Sequence, residues 1–168
     1  MIARLLLVAA AATMLAGCGL RPLYSGGSRG AVATQLRSVE VAPIPGRAGY
    51  LIRGALVDQL GQGEGGEMRY RLEVELDDQI SGLGIRLDDA VTRERRTLRA
   101  RYRLVDAQLG TVLLDATAGS DAGIDVVGSE YATVAAEQTA LERLSEMVAQ
   151  QIVSRVALYM SRAPAAGQ

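Results

Sequence analysis

Arginine recurs at every second position along one segment, residues 93–103, with Thr97 as the one exception. Side chains two residues apart in a β-strand share a face, so this pattern predicts a row of guanidinium groups on one side of a sheet. Guanidinium groups bind phosphate and carboxylate oxygens through paired hydrogen bonds, and one interpretation of the row is an anion-binding surface. Its candidate residues are Arg95, Arg99, Arg101 and Arg103, with Arg69 and Arg71 on the preceding strand.

The preceding strand, residues 68–77, supports a competing interpretation, because it places the carboxylates of Glu73, Glu75 and Asp77 on the same face. If Glu73 faces Arg99, arginines at one end of the row face other arginines and stay uncompensated. If Asp77 faces Arg99, cross-strand ion pairs neutralise the row, each contributing about 0.2–1 kcal/mol. A shift by an even number of residues leaves every side chain on its face, so the hydrophobic pattern permits both registers.

Other chemistry has little support in the composition. The chain has no His for acid–base catalysis near neutral pH, and its one Cys is at position 18. The acidic pairs at 77–78 and 88–89 are typical of solvated loops rather than metal ligands. We therefore expect no enzyme activity, no catalytic residue and no metal site. The net charge of −1 offers no support for nucleic-acid binding.

The N-terminus carries one cation, Arg4, followed by an apolar run over residues 5–15 that is too short to span a bilayer. This order predicts a secretory signal peptide over residues 1–17. The segment Leu15-Ala16-Gly17-Cys18 resembles the lipobox of bacterial lipoproteins, in which the Cys is acylated and becomes the first mature residue. We expect Cys18 to carry a covalent lipid, including palmitate, and no other cofactor. The alternative is an ordinary signal peptide with a chance Cys.

Three further segments follow the signal peptide. Residues 18–33 are rich in Gly, Ser and Arg and predict a lipidated tether, and residues 163–168 predict a disordered tail. Between them, residues 34–162 are long enough for one domain. Strand patterns cover residues 36–42, 68–77 and 92–105, and a fourth begins at Val112 after a hairpin loop at 106–110. A long loop containing Gly82 and Gly84 is expected after Asp77. Helix patterns cover residues 49–60 and 129–162, and the apolar stripe of the second helix includes Val134.

Each strand is apolar on one side only, and each helix carries one apolar stripe. Such elements bury their apolar sides against each other. The predicted fold is therefore α+β, a two-layer sandwich in which two helices pack on one face of a four-stranded, mostly antiparallel or mixed sheet. The charged sheet face remains open.

The chain resembles the LPS-assembly lipoprotein family, LptE, in its alphaproteobacterial form. The resemblance rests on the order and spacing of several short segments over nearly the whole chain. They are Cys18-Gly19-Leu20-Arg21-Pro22-Leu23-Tyr24, Tyr70-Arg71-Leu72, Thr92-Arg93, Ala100-Arg101-Tyr102-Arg103-Leu104-Val105-Asp106, Asp125-Val126-Val127 and Glu130-Tyr131-Ala132-Thr133.

This resemblance implies a non-enzymatic lipoprotein on the periplasmic side of the outer membrane. Members of the family have two helices on a four-stranded sheet, plug the lumen of the β-barrel LptD and bind lipopolysaccharide. The implied partners are LptD, lipopolysaccharide and, through the acyl chains, the membrane. The family's basic contact residues do not map onto this chain, so the resemblance assigns no binding site.

Two other functions remain open on the sequence. An auxiliary lipoprotein of an ABC-type lipid transporter also starts with a lipobox and carries a small α/β domain. A tethered periplasmic ligand-binding module would need a deep enclosed apolar pocket.

Overall fold

The computed structural model describes residues 30–61, 67–85, 91–126 and 129–162, so Cys18, the signal peptide and the tail lie outside the described residues. Three helices and four strands lie in the described ranges. In chain order they are α1 (Ala31–Arg37), β1 (Val39–Val41), α2 (Gly46–Leu60), β2 (Tyr70–Ile85), β3 (Val91–Asp106), β4 (Val112–Asp125) and α3 (Glu130–Arg162).

The four strands form one mixed sheet in the order β1-β2-β3-β4. β1 runs parallel to β2, and β2, β3 and β4 form an antiparallel meander. The hairpin loop predicted between β3 and β4 is present. The Asp106 carboxylate accepts hydrogen bonds from the backbone N–H groups of Gln108 and Leu109, both at 2.9 Å, which stabilises this turn.

The core lies between the sheet and the helices. β2 and β3 contribute alternate residues that are almost completely buried, while α2 and α3 contribute residues spaced three or four apart. The largest fully buried side chains include Leu72, Leu98, Tyr102, Leu104, Ile52, Leu56, Leu144 and Ile152. The predicted α+β sandwich is thereby confirmed, with the short α1 as an additional helix.

Two glycines set the position of α2. Gly61 ends the helix in the left-handed region, at φ +64°, where a residue without Cβ has no steric penalty. Gly49 is buried against the segment that connects β1 to α2. An added Cβ would lie 2.5 Å from the Ile44 carbonyl oxygen in that segment. The helix begins at Gly46, three residues before the predicted start, because Pro45 occupies the extended N-cap position.

Three sequence predictions need correction. Residues 36–38 do not belong to the first strand, since Leu36 is the buried residue of helix α1 and only Val39–Val41 pair with β2. The loop expected after Asp77 is instead a continuation of β2, because its backbone pairs with β3 as far as Ile85. Val134, predicted in the buried stripe of α3, is 43% exposed, and the buried residues of this helix begin at Ala140.

Candidate functional site

The sheet face opposite the helices carries the candidate residues, and we call it the charged face. Strand alternation places the apolar side chains of β1–β4 toward the helices and most of the charged ones toward this face. Its arginines are Arg69, Arg71, Arg93, Arg95, Arg99, Arg101 and Arg103. Its carboxylates are Glu40, Glu73, Glu75, Asp77, Asp115, Asp121 and Asp125. Seven of each sign leave these charged-face residues with a net charge of zero.

The register between β2 and β3 is the neutralising one. Asp77 lies opposite Arg99, and the pairs Glu75–Arg101 and Glu73–Arg103 follow at alternate positions. The register with Glu73 opposite Arg99 is not adopted, and the uncompensated cationic end that it would create is absent from the described strands. The ion-pairing interpretation of the row is therefore favoured over a continuous cationic surface.

Most guanidinium groups of β3 nevertheless turn away from β2 and toward β4. Arg101 donates two hydrogen bonds to Asp115, Nε to Oδ1 at 3.2 Å and Nη2 to Oδ2 at 2.9 Å. Arg93 binds Asp125 at 3.0 Å at the far end of the same hairpin. These hydrogen bonds stabilise the charged forms of both side chains. They therefore lower the pKa of the Asp115 carboxyl and raise the pKa of the Arg101 guanidinium. The carboxylates of β4 were not weighed in the sequence analysis, although they alternate on the same face.

A smaller cluster forms around Glu73 on β2. Its carboxylate lies 2.9 Å from Nη2 of Arg71 and 3.2 Å from Nη2 of Arg103. The same Arg103 nitrogen reaches Glu75 at 3.6 Å. These two candidate arginines are thus engaged by one carboxylate, so binding an external anion there requires competition with Glu73.

Arg95 and Arg99 have the weakest internal partners of the candidate row. Arg95 approaches Asp121 only to 3.9 Å, and Arg99 makes no ion pair or hydrogen bond among the described residues. The Arg99 side chain lies across the backbone of Gly119 on β4, where an added Cβ would be 2.6 Å from its Cδ and Nη1 atoms. The absence of a side chain at Gly119 therefore makes room for an extended, unpaired arginine.

Arg69, the sixth candidate, immediately precedes β2. Its guanidinium carbon is 5.7 Å from the centre of the Tyr70 ring, within range of a cation–π interaction. Arg69 also lines a shallow cavity of about 390 Å³ with Glu67 and Gln108. This position is separated from Arg95 and Arg99 along the sheet, so the structure does not bring all six candidates into one site.

A charged pair on the opposite, helix-facing side was missed by the sequence analysis. Arg96 and Asp78 occupy positions of their strands at which the two-residue pattern places apolar side chains. A charged residue at such a position is the signal that could have revealed this pair. Arg96 donates to Asp78 through two nitrogens and to the backbone carbonyl of Glu137 on α3. The pair therefore has a structural role at the edge of the core.

The remaining cavities and acidic side chains of the described ranges provide no strong candidate for a binding site. An open groove of about 1060 Å³ lies between α2 and α3, lined by residues that include Tyr50, Ser145 and Met147. Across the described residues no cluster of three Asp, Glu, His or Cys side chains has a geometry for a metal ion. None of the three helices in those ranges has the length and apolar character needed to cross a bilayer.

The fold defines a class, the small two-layer α+β sandwich domains in which helices cover one face of a mixed four-stranded sheet. A protein from Caulobacter crescentus has the same fold, with a TM-score of 0.67 and 27% sequence identity over 78% of this chain and 96% of that one. The chain belongs to the LptE family, whose lipopolysaccharide-assembly model matches residues 36–156. The predicted resemblance is thereby confirmed.

More distant structures share the fold. A minor lipoprotein from Acinetobacter baumannii matches with a TM-score of 0.55 and 15% identity, over 73% of this chain and 92% of that one. Lipoprotein B from Nitrosomonas europaea matches with a TM-score of 0.55 and 18% identity, over 74% and 88%. Among proteins of curated function, none matches the chain in sequence.

Proposed function

We propose that this protein is an outer-membrane lipoprotein that plugs and helps to assemble the lipopolysaccharide-translocating β-barrel LptD, without catalysing a reaction. The observation that carries the proposal is the match of the LptE family model to residues 36–156, which include most of the sandwich. In this role the domain assists transport of lipopolysaccharide and its insertion into the outer leaflet.

The charged face supports a place inside a barrel. The lumen wall of outer-membrane barrels is polar, and the sheet offers it seven guanidinium groups and seven carboxylates. The Arg101–Asp115 pair is typical, with side chains 61% and 42% exposed. Exposed pairs of this kind contribute only about 0–1 kcal/mol, so they can exchange for pairs with a polar wall at little cost.

Co-purification tests the barrel partnership. We expect an affinity tag at the C-terminus of the full chain to recover a large β-barrel from detergent-solubilised envelopes. The matched control carries Leu109→Ser, a change at an exposed hairpin tip that should leave recovery unchanged. Repeated recovery of the tagged chain with no β-barrel would contradict the proposal.

The membrane anchor is proposed to be a thioether-linked lipid on Cys18. One acyl chain gives marginal membrane binding and several give stable binding, so a Cys18→Ser variant should move from the membrane to the soluble fraction. Mass spectrometry of the mature N-terminus should show a lipid-modified Cys18 and no residues 1–17. An unmodified Cys18, or retention of the wild-type chain in the inner membrane, would exclude this anchor and location.

Contact with lipopolysaccharide is proposed to involve Arg95 and Arg99. Lipid A phosphates are suitable ligands for guanidinium groups, and these two have the weakest internal competition on the charged face. The double change Arg95→Gln/Arg99→Gln should weaken lipopolysaccharide binding by at least about tenfold. Arg71→Gln, at a guanidinium engaged by Glu73, is the matched control. Equal binding by both variants would remove Arg95 and Arg99 from the site.

A further inference from the structure

The outer edge of β2 is uncovered along most of its length. β1 pairs only with Tyr70–Leu72, where Tyr70 N–H donates to Ser38 and the Leu72 carbonyl accepts from Ala42. The β2–β3 register continues without a bulge, so every second residue beyond Leu72 directs its backbone groups to the same outer edge. These residues are Val74, Leu76, Asp78 and Ile80. Among the described residues, nothing pairs with their outward N–H and C=O groups.

The other long edge of the sheet, on β4, is blocked near its middle by α3. Helix α3 packs against β4, and its Gln151 side chain binds both backbone groups of Gly119. Gly119 N–H donates to Oε1 of Gln151 at 3.2 Å, and Nε2 of Gln151 donates to the Gly119 carbonyl at 3.4 Å. Exposed edges are usually blocked in such ways, since they pair readily with other chains. Among the described residues, the β2 edge beyond Leu72 carries no such block.

Two carboxylates beside this edge are poorly compensated. Glu75 is 72% exposed and its nearest guanidinium nitrogen, on Arg103, is 3.6 Å away. Asp77 accepts hydrogen bonds from the neutral Gln79 side chain and has no ion pair along the described strands. Both lie opposite arginines in the register, but Arg101 turns to Asp115 and Arg99 lies over Gly119. The charged face is therefore locally acidic at β2.

The helix-facing side of the same edge is apolar. Leu76 is half-buried and Ile80 is 44% exposed, while Asp78 between them is already paired with Arg96. A strand added at this edge would contact apolar side chains on one face and carboxylates on the other. Alternation of cationic and apolar residues matches both faces.

We propose that the β2 edge from Val74 to Ile80 accepts an extended segment of a partner protein in which cationic and apolar residues alternate. A second copy of this chain suits the edge poorly, because two β2 edges would bring Glu75 and Asp77 carboxylates together. The proposal goes beyond the plug function and does not depend on it.

A nine-residue peptide of alternating arginine and valine, blocked at both ends, is the probe. Added to the full chain in detergent micelles, it should slow amide hydrogen exchange at Val74, Leu76, Asp78 and Ile80 by at least about tenfold. A matched peptide with every backbone nitrogen methylated keeps every charge and has no backbone donor on either edge. Strand addition predicts that this peptide gives no protection. Equal protection by both peptides, or protection at other strands only, would overturn the proposal.

Charge reversal supplies a second measurement. The variant Glu75→Arg/Asp77→Arg should bind the arginine–valine peptide about tenfold more weakly and gain affinity for a glutamate–valine peptide. The matched control Glu142→Arg, on the exposed side of α3, should behave like the wild-type chain. Unchanged peptide preference in the double variant would also overturn the proposal, provided that its circular dichroism spectrum is native.

Discussion

Arg96 of β3 and Asp78 of β2 form a two-point ion pair on the helix side of the sheet, with Nε–Oδ1 and Nη2–Oδ2 distances of 2.8 and 2.6 Å. The third guanidinium nitrogen donates to the Glu137 carbonyl at 3.0 Å. Hydrogen bonding to Asp78 raises the pKa of Arg96, although burial acts in the opposite direction. One arginine thereby links the two central strands to the first turns of α3.

Removal of Asp78 should destabilise the domain. Asp78→Ala leaves the Arg96 guanidinium, only 12% exposed, without its carboxylate. We expect a loss of about 2 kcal/mol in the free energy of unfolding, below the value for a fully buried pair because water still reaches both side chains. Denaturant titration measures it. Asp77→Ala, on the charged face, should change stability by less than about 0.5 kcal/mol. Equal losses in the two variants would remove the special role of Asp78.

Two glycines of α2 should respond in opposite ways to alanine. Gly49→Ala places a Cβ against the Ile44 backbone, at 2.5 Å from its oxygen, and should cost about 2 kcal/mol through displacement of the helix. Gly54→Ala meets no atom within 4 Å and should stabilise the helix by up to about 1 kcal/mol. Thermal unfolding of both variants gives the comparison, and a stabilising Gly49→Ala would mean that α2 does not approach Ile44 so closely.

Ser145 is a buried hydroxyl at the α2–α3 groove. It is 2% exposed, and its Oγ finds no hydrogen-bond partner among the described residues. Ser145→Ala should therefore stabilise the domain by about 1–2 kcal/mol. Ser154→Ala, at an exposed site of the same helix, measures the helix-propensity gain alone, about 0.5 kcal/mol. A destabilising Ser145→Ala would reveal a partner for this hydroxyl.

The Arg101–Asp115 pair should be detectable in an acid titration through the lowered pKa of the Asp115 carboxyl. A lowered carboxyl pKa in the folded state contributes stability above the unfolded pKa of about 3.9, and this contribution is lost as pH falls through the folded pKa. NMR titration of the side-chain carboxyl should give Asp115 a midpoint below its ordinary value. Arg101→Gln should raise that midpoint, because it removes the hydrogen bonds. Arg99→Gln should leave it unchanged, and equal shifts in both variants would assign the effect to general charge.

The two-residue period was sufficient to predict which side chains face the helices. Leu98, Tyr102 and Leu104 are buried as the alternation requires, and the arginines between them lie on the charged face. The same period could not predict that β2 extends past Gly82. Glycine is common in loops, but here pairing with the neighbouring strand β3 keeps the backbone of β2 extended.

The helical period predicted α3 within one residue at its start, because a long stripe of apolar residues is a strong signal. Helix α1 was missed for the opposite reason. It has seven residues, and only Leu36 among them is buried. Short helices of this kind depend on tertiary packing rather than on their own sequence.

By itself the sequence determined the two-layer arrangement, the composition of the charged face, the family and the expectation of a lipid at Cys18, since all of these follow from local pattern and residue type. The register and the choice of ion partners were decided only by the tertiary structure. Shifting β3 by an even number of residues keeps every side chain on its face, so local pattern cannot distinguish the alternatives. An arginine between two acidic strands can turn either way, and the position of β4 determines that Arg101 binds Asp115 and leaves Glu75 at an open edge.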